Sequence, residues 1–255
     1  MNASTKTDFS FSRVWDDTLK MLGANAGLLT AIAGVFLFLP AVLVAHFVPP
    51  PEGGTTPAEM IELMVAWWQG NAHWMLLSAV VNMVGLIAIY LLLLAEPRMT
   101  VGGAVAAALP ILPFYLLLTV VLNLTLAIGF LLFVIPFIYL LGRLSLASPV
   151  LVAEKRRAPF AALERSWALS RGLGWQIALL VLLVYIAALI INVAVSSALG
   201  IVIVLLLGNE GVGGLLLAIV GAILSAATTL VATVLLAAIY RALTTSRPDL
   251  AKRFS

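Results

Sequence analysis

The chain has 255 residues, of which 63% are hydrophobic and 10% charged, with a mean hydropathy of +1.16 and a formal net charge of +3. A soluble domain needs far more polar surface than this, which excludes water as the main solvent. The absence of cysteine excludes disulfides, thiol catalysis and thiolate metal sites.

Apolar runs longer than about 18 residues recur, and a helix needs roughly 20 residues to cross a hydrocarbon core of about 30 Å. We therefore expect an all-α integral membrane protein in which residues 1–255 form a single membrane domain. Its six transmembrane helices fall into three hairpins, each preceded by a short interfacial helix on the cytoplasmic side.

Residues 9–22 read as the first interfacial helix, with Phe11, Val14, Trp15, Thr18 and Leu22 on one face and Arg13, Asp16, Asp17 and Lys20 on the other. The first span covers 26–48, with Pro40 expected to kink it. This run is too long for the apolar region of a removable signal, so it is expected to stay in the membrane as an anchor. The run from Pro49 to Gly54 is loop, after which Thr56, Pro57 and Glu59 supply an N-cap, a first-turn proline and a capping-box glutamate. An outer interfacial helix is expected over 57–69 and the second span over 74–95.

A short interfacial helix at 100–109 precedes a third span at 111–126. A tight turn near Ala127 to Gly129 leads to a fourth span at 130–152. The most polar stretch follows, with an interfacial helix at 158–171 whose Phe160, Leu163 and Trp167 form an apolar stripe. Spans at 175–199 and 214–240 flank an outer turn at Gly208–Gly211, and a basic tail closes the sequence.

With the first span entering from inside, Lys6, Arg13, Lys20, Arg98, Lys155, Arg156, Arg157, Arg165, Arg171, Arg241, Arg247, Lys252 and Arg253 all fall on the cytoplasmic side. The outer loops carry Glu52, Glu59, Glu62 and Glu210 and no lysine or arginine. This asymmetry predicts an inner (plasma) membrane protein with both termini in the cytoplasm. Tryptophan, which prefers the interface, agrees: Trp15, Trp167 and Trp175 fall at the inner boundary, and Trp67, Trp68 and Trp74 at the outer one. The expected partners are membrane lipids, anionic ones at the basic inner face, with a protein partner left open. Nucleic acid is not expected, because these cations sit on membrane-bound helices.

Arg143 is the one basic residue left inside a span, where burial costs several kcal/mol unless it is paired or reaches water. It is the first candidate for a functional position, with partial snorkelling to the interface as the alternative. Asn82, Asn123 and Asn192 are the rarer polar residues of the spans and could share an intramembrane polar site with it. Thr119, Thr125, Ser145, Ser148, Ser196, Ser197, Ser225, Thr228, Thr229 and Thr233 could line the same cavity or serve helix packing. His46 and His73 lie among apolar neighbours without a second ligand at useful spacing. We expect no catalytic residues, no metal and no cofactor: there is no nucleophile elbow, no intramembrane carboxylate pair and no histidine motif.

The stretch from Gly129 to Gly174 contains an apolar run ending in Pro136, then Tyr139, then Arg143-Leu144-Ser145-Leu146-Ala147 leading to Pro149 and Glu154. Next come Ala161-Ala162-Leu163-Glu164-Arg165-Ser166-Trp167 and Arg171-Gly172. This pattern resembles the bacterial family known as the membrane domain of glycerophosphoryl diester phosphodiesterase, with its stand-alone relatives. The resemblance implies a multi-helix membrane domain with an amphipathic helix between spans four and five. It also implies that Arg143, Glu154, Arg165, Ser166 and Arg171 belong to the family's signature. Phe137 departs from the pattern, since glycine commonly follows the proline. The metal-binding carboxylates and histidines of the phosphodiesterase domain have no counterparts, so the enzyme name is not carried over.

The segment from Glu154 to Gly174 supports two readings. Glu154 paired with Arg165 or Arg171 would hold the spans in register. Alternatively Glu154, Lys155, Arg156, Arg157, Arg165, Ser166 and Arg171 form an inner-surface dock for lipid headgroups or a partner. The expected function is a non-enzymatic bacterial inner-membrane protein in envelope or lipid homeostasis, or a membrane partner. The alternative is a transporter or export permease with a polar cavity around Arg143.

Overall fold

The structure is a computed structural model that describes residues 10–49, 51, 53–95, 99–155 and 157–246. Lys6, Glu52, Arg98, Arg156, Arg247, Lys252 and Arg253, named above as charge markers, lie outside the described residues. The described residues form helices and no strand, and six helical stretches are long and apolar enough to cross a membrane. They are Ala26–Phe47, Pro57–Leu94, Leu112–Leu132, Val134–Ala153, Gly174–Leu207 and Gly211–Thr245. The chain is thus a multi-pass membrane protein.

Helix α1 (Phe11–Ala24) starts at Ser10, whose side chain accepts from the Arg13 amide. Its Val14, Thr18 and Met21 are buried, while Phe11, Trp15 and Leu19 stay exposed. The apolar stripe read from the sequence is therefore divided between a protein-facing and an outward-facing half.

The first span is α2 (Ala26–Ala33), a π-helical turn (Gly34–Phe38) and α3 (Leu39–Phe47). Pro40 has no amide to offer the Phe36 carbonyl, and its ring crowds that turn. The helix absorbs this by one extra residue, with the Leu39 amide donating to Gly34 five residues back. Gly85 lets the next helix lie directly on the widened turn, since a Cβ there would stand 2.5 Å from Phe36 Cβ.

Helix α4 (Pro57–Leu94) is continuous over 38 residues, so the expected break between an outer interfacial helix at 57–69 and a span at 74–95 is absent. Between the two stretches lie Gly70 and Asn71 but no proline, and one glycine costs only about 1 kcal/mol. Asn71 also satisfies its own helix, its Nδ2 donating to the Trp67 carbonyl at 2.9 Å. The capping box is formed as read, with Thr56 accepting from the Glu59 amide and Glu59 from the Thr56 amide.

Helix α5 (Val101–Ala108) packs on α4 through the fully buried Ala104 and Ala108. Helix α6 (Leu112–Leu132) and helix α7 (Val134–Leu144) form a close hairpin. The reversal falls at the extended Phe133 instead of 127–129. Gly129 serves close packing instead: a Cβ on it would lie 2.7 Å from Leu140 Cδ1 and 3.3 Å from Phe137 Cα. Pro136 sits in the first turn of α7, where amides have no helical partner anyway.

The fourth span breaks at Ser145–Leu146 before α8 (Ala147–Ala153). Pro149 explains the break, because it leaves the Ser145 carbonyl without an intrahelical donor. Helix α9 (Pro159–Leu169) packs against α6, α7 and α8 with Ala162, Arg165, Ser166 and Leu169 buried. The polar Arg165 and Ser166 face the protein, Glu164 is exposed, and Phe160 and Trp167 of the expected apolar stripe are exposed as well.

Helices α10 (Gly174–Leu207) and α11 (Gly211–Ser246) run past their expected ends at 199 and before 214. No proline lies between Gly174 and Ser246, and the reversal waits for Gly208 and Gly211, both at positive φ. Helix α11 is the hub, touching α1, α2, α3, α4, α8 and α10. The core lies in the half of the bundle nearest Tyr90, Val150 and Ile239. Beyond it, α4, α10 and α11 carry exposed leucines, isoleucines and tryptophans, the surface a bilayer solvates.

Candidate functional site

The polar centre of the molecule is built where α7, α9 and α10 meet. Two glycines make the meeting close. A Cβ on Gly142 would overlap the Gly174 carbonyl oxygen and stand 2.7 Å from Ala178 Cβ, and one on Gly174 would stand 2.7 Å from Arg143 Cδ. Backbone therefore touches backbone, and the Arg143 side chain is threaded along α10 beside Gly174.

Arg143 is 5% exposed. Its guanidinium carbon lies 4.2 Å from the centroid of the Trp167 ring and 5.9 Å from that of Tyr139. Tyr139 stands edge-on to Trp167 and tilted to Trp175, each at 5.9 Å, so the two rings at the cation are extended by a third behind Tyr139. The Arg143 Nε is buried without a hydrogen-bond partner, and among the described residues no carboxylate pairs with this guanidinium. A desolvated cation–π contact contributes about 2 kcal/mol, less than the several kcal/mol that removing a guanidinium from water costs. The aromatic clamp alone leaves the cation undercompensated.

The backbone of Arg143 is held from the other side. Ser166 Oγ donates to its carbonyl oxygen at 2.8 Å and Ser170 Oγ reaches it at 3.3 Å. The next shell is an ion pair: Arg165 Nε donates to Glu154 Oε1 at 3.0 Å, with Arg165 almost wholly buried. Tyr240 of α11 donates to the same carboxylate oxygen at 3.4 Å. Glu154, Arg165 and Ser166 thus tie α8, α9, α7 and α11 together, with Arg165 and Ser166 buried and Glu154 part-buried. Lys155, Arg157 and Arg171 are exposed, and Lys155 adopts a positive φ of 49°. Arg156 lies outside the described residues.

The four residues read as one intramembrane polar site occupy four settings. Arg143 is in the aromatic clamp. Asn82 on α4 donates to Ser78 and faces a cavity between α3, α4 and α11. Asn192 on α10 donates to Thr228 Oγ1 of α11 at 3.1 Å. Asn123 is exposed on α6 and donates to the Thr119 carbonyl of its own helix. Sequence reading found the rare polar residues, but it carries no information on which helix faces meet. His46 stacks edge-on with Phe47, and His73 lies beside Trp74 on another helix.

Gly142, Gly174, Ser170 and Trp175 complete the site and were not singled out for it. Their signal is in the sequence only as small residues four apart, Ser166 and Ser170, and as a glycine beside Arg143 and another beside Trp175. No family model, curated protein or solved structure matches the chain.

Proposed function

We propose that the chain is a non-enzymatic protein of the bacterial inner membrane that holds an anionic lipid headgroup at Arg143. The observation that carries this reading is the Arg143 guanidinium: nearly buried, faced by Trp167, with an unpartnered Nε and no carboxylate. A phosphate oxygen in the plane of the guanidinium would supply the missing charge and acceptor without disturbing the ring stacked on its face. Trp167 and Trp175 are part-exposed, which suits indoles at a headgroup boundary. The exposed Lys155, Arg157 and Arg171 would add attraction for an anionic leaflet.

The same reading places both termini in the cytoplasm. The spans then pair as three hairpins preceded by α1, α5 and α9 on the inner side, with the outer turns carrying glutamate and the inner segments the lysines and arginines. The resemblance to stand-alone relatives of the phosphodiesterase membrane domain supports it in one respect: four of the signature residues, Arg143, Glu154, Arg165 and Ser166, form one connected cluster. In this assignment they build and hold the headgroup site and catalyse nothing.

The test is lipid co-purification. Native mass spectrometry of the parent should show retained phosphatidylglycerol or cardiolipin, Arg143→Gln should lose it, and Arg143→Lys should keep part of it. Equal anionic lipid retained by Arg143→Gln and the parent, both folded, would rule the proposal out.

A further inference from the structure

A second polar centre, independent of Arg143, lies between the first span, α4 and α11. It is a cavity of about 380 Å³. One end is near Trp67, whose indole nitrogen donates to the Pro49 carbonyl at 2.7 Å, and the other reaches Leu37 in the π-helical turn. From Leu37 to Val48 the wall is about 17 Å long at 1.5 Å per residue, and it is aliphatic.

Hydroxyls in apolar helices ordinarily turn back on their own backbone. Six threonines here do so: Thr18, Thr30, Thr119, Thr125, Thr233 and Thr244 each donate to the carbonyl four residues earlier. Ser196, Ser197, Ser225, Thr229 and Thr245 do not, and of these only Ser225 and Thr229 line this cavity. The Ser225 and Thr229 hydroxyls make no hydrogen bond among the described residues. Opposite them, Asn82 uses its Nδ2 on the Ser78 carbonyl at 2.8 Å and the Ser78 hydroxyl at 3.4 Å, leaving its Oδ1 open. Thr228, one residue from Thr229, by contrast accepts from Asn192 Nδ2 at 3.1 Å.

Two hydroxyls and a carboxamide oxygen without a hydrogen bond among the described residues, Ser225 exposed and Thr229 and Asn82 part-buried, thus line an elongated, mainly aliphatic cavity, and none of its described lining residues is ionisable. Within a bilayer, hydrocarbon cannot satisfy them, and each unmet group costs about 1–3 kcal/mol. An ionic head would be worse placed, because none of the described wall residues would pair with it. We infer that this cavity binds a neutral amphiphile, with a hydroxyl or amide head held by Asn82, Ser225 and Thr229 and an aliphatic body lying along α3.

The cysteine-free chain makes the test clean. Ala45→Cys puts a reporter thiol in the aliphatic wall and leaves all three polar groups intact. Reconstituted in phosphatidylethanolamine–phosphatidylglycerol vesicles, it is labelled with N-ethylmaleimide in the presence of monodecanoylglycerol, decyl sulfate or decyltrimethylammonium. Monodecanoylglycerol should slow labelling while the two ions do not. Adding Ser225→Ala with Thr229→Val should weaken that protection by about tenfold, as loss of roughly 1.4 kcal/mol of hydrogen bonding implies. Thr228→Val, next to the site but facing Asn192, should leave it unchanged and controls for folding. The inference is overturned by equal protection from all three amphiphiles, by protection from none, or by protection that survives loss of Ser225 and Thr229 hydroxyls.

Discussion

Arg165 Nε and Glu154 Oε1 are 3.0 Å apart in a setting where the arginine side chain is 3% exposed and the carboxylate 19%. The pair joins the polar segment after α8 to the centre of α9, and Tyr240 adds α11 to the same oxygen. Breaking one partner of a buried pair leaves the other charge uncompensated, which costs about 3–5 kcal/mol, more than the pair contributes over an apolar replacement. Glu154→Gln should therefore lower the unfolding midpoint in detergent sharply. The double replacement Glu154→Leu with Arg165→Met should be the milder of the two. If the single change were neutral, the pair would not hold these helices together.

The contact of α7 with α10 depends on two positions having no side chain. A Cβ at Gly142 meets backbone, the Gly174 carbonyl, which cannot swing aside as a flexible side chain can. Gly142→Ala should therefore destabilise by about 1–3 kcal/mol, the usual range for overpacking. Gly221→Ala, where nothing lies within 4 Å, should be neutral or slightly stabilising because alanine favours helix. Thermal unfolding of the two variants side by side separates packing from helix propensity.

What the sequence made legible follows from which forces are local. Hydrophobic length and punctuation are local, so the helical membrane architecture and the capping box at Thr56 and Glu59 could be read directly. Helix ends were harder. Gly70 and Gly129 resemble breakers, yet one is absorbed by a continuous helix and the other is used for close packing against Phe137 and Leu140. Facing is not local at all. Ser166 and Arg165 look like the wet side of an amphipathic helix, and only the carbonyl of Arg143 and the carboxylate of Glu154, 23 and 11 residues away, turn that side inward.

The aromatic clamp makes a graded prediction for Arg143. Trp167→Phe keeps a π face under the guanidinium and should lose about 1 kcal/mol or less, while Trp167→Leu removes the face and should lose up to about 2 kcal/mol. If the proposed headgroup site is right, anionic lipid retention should follow the same order: parent, then phenylalanine, then leucine. Retention that is indifferent to residue 167 would detach the indole from lipid binding.

The connections between spans one and two, three and four, and five and six make different demands on their surroundings. The first contains Glu59 and two glycines near Thr55 and Thr56, and the third contains Asn209 and Glu210. The second, between α6 and α7, has no polar side chain from Leu126 to Ile138, and Leu131 and Phe133 there are 87% and 78% exposed. Such a tip cannot rest in water without exposing a large apolar patch. Its backbone is suited to a drier place: Phe133 donates to Gly129, Phe137 to Phe133, and Pro136 has no amide to satisfy. Single cysteines at Gly53 and Glu210 should react with an impermeant maleimide from outside, and those at Lys20 and Arg157 only from inside. A cysteine at Phe133 should react from neither side. A nitroxide attached there should collide with oxygen far more than with a water-soluble nickel chelate, the reverse of one at Glu210. Ready labelling of the Phe133 site by the impermeant reagent would show that the tip stands in water, and the second hairpin would then need a protein cover over its apolar end.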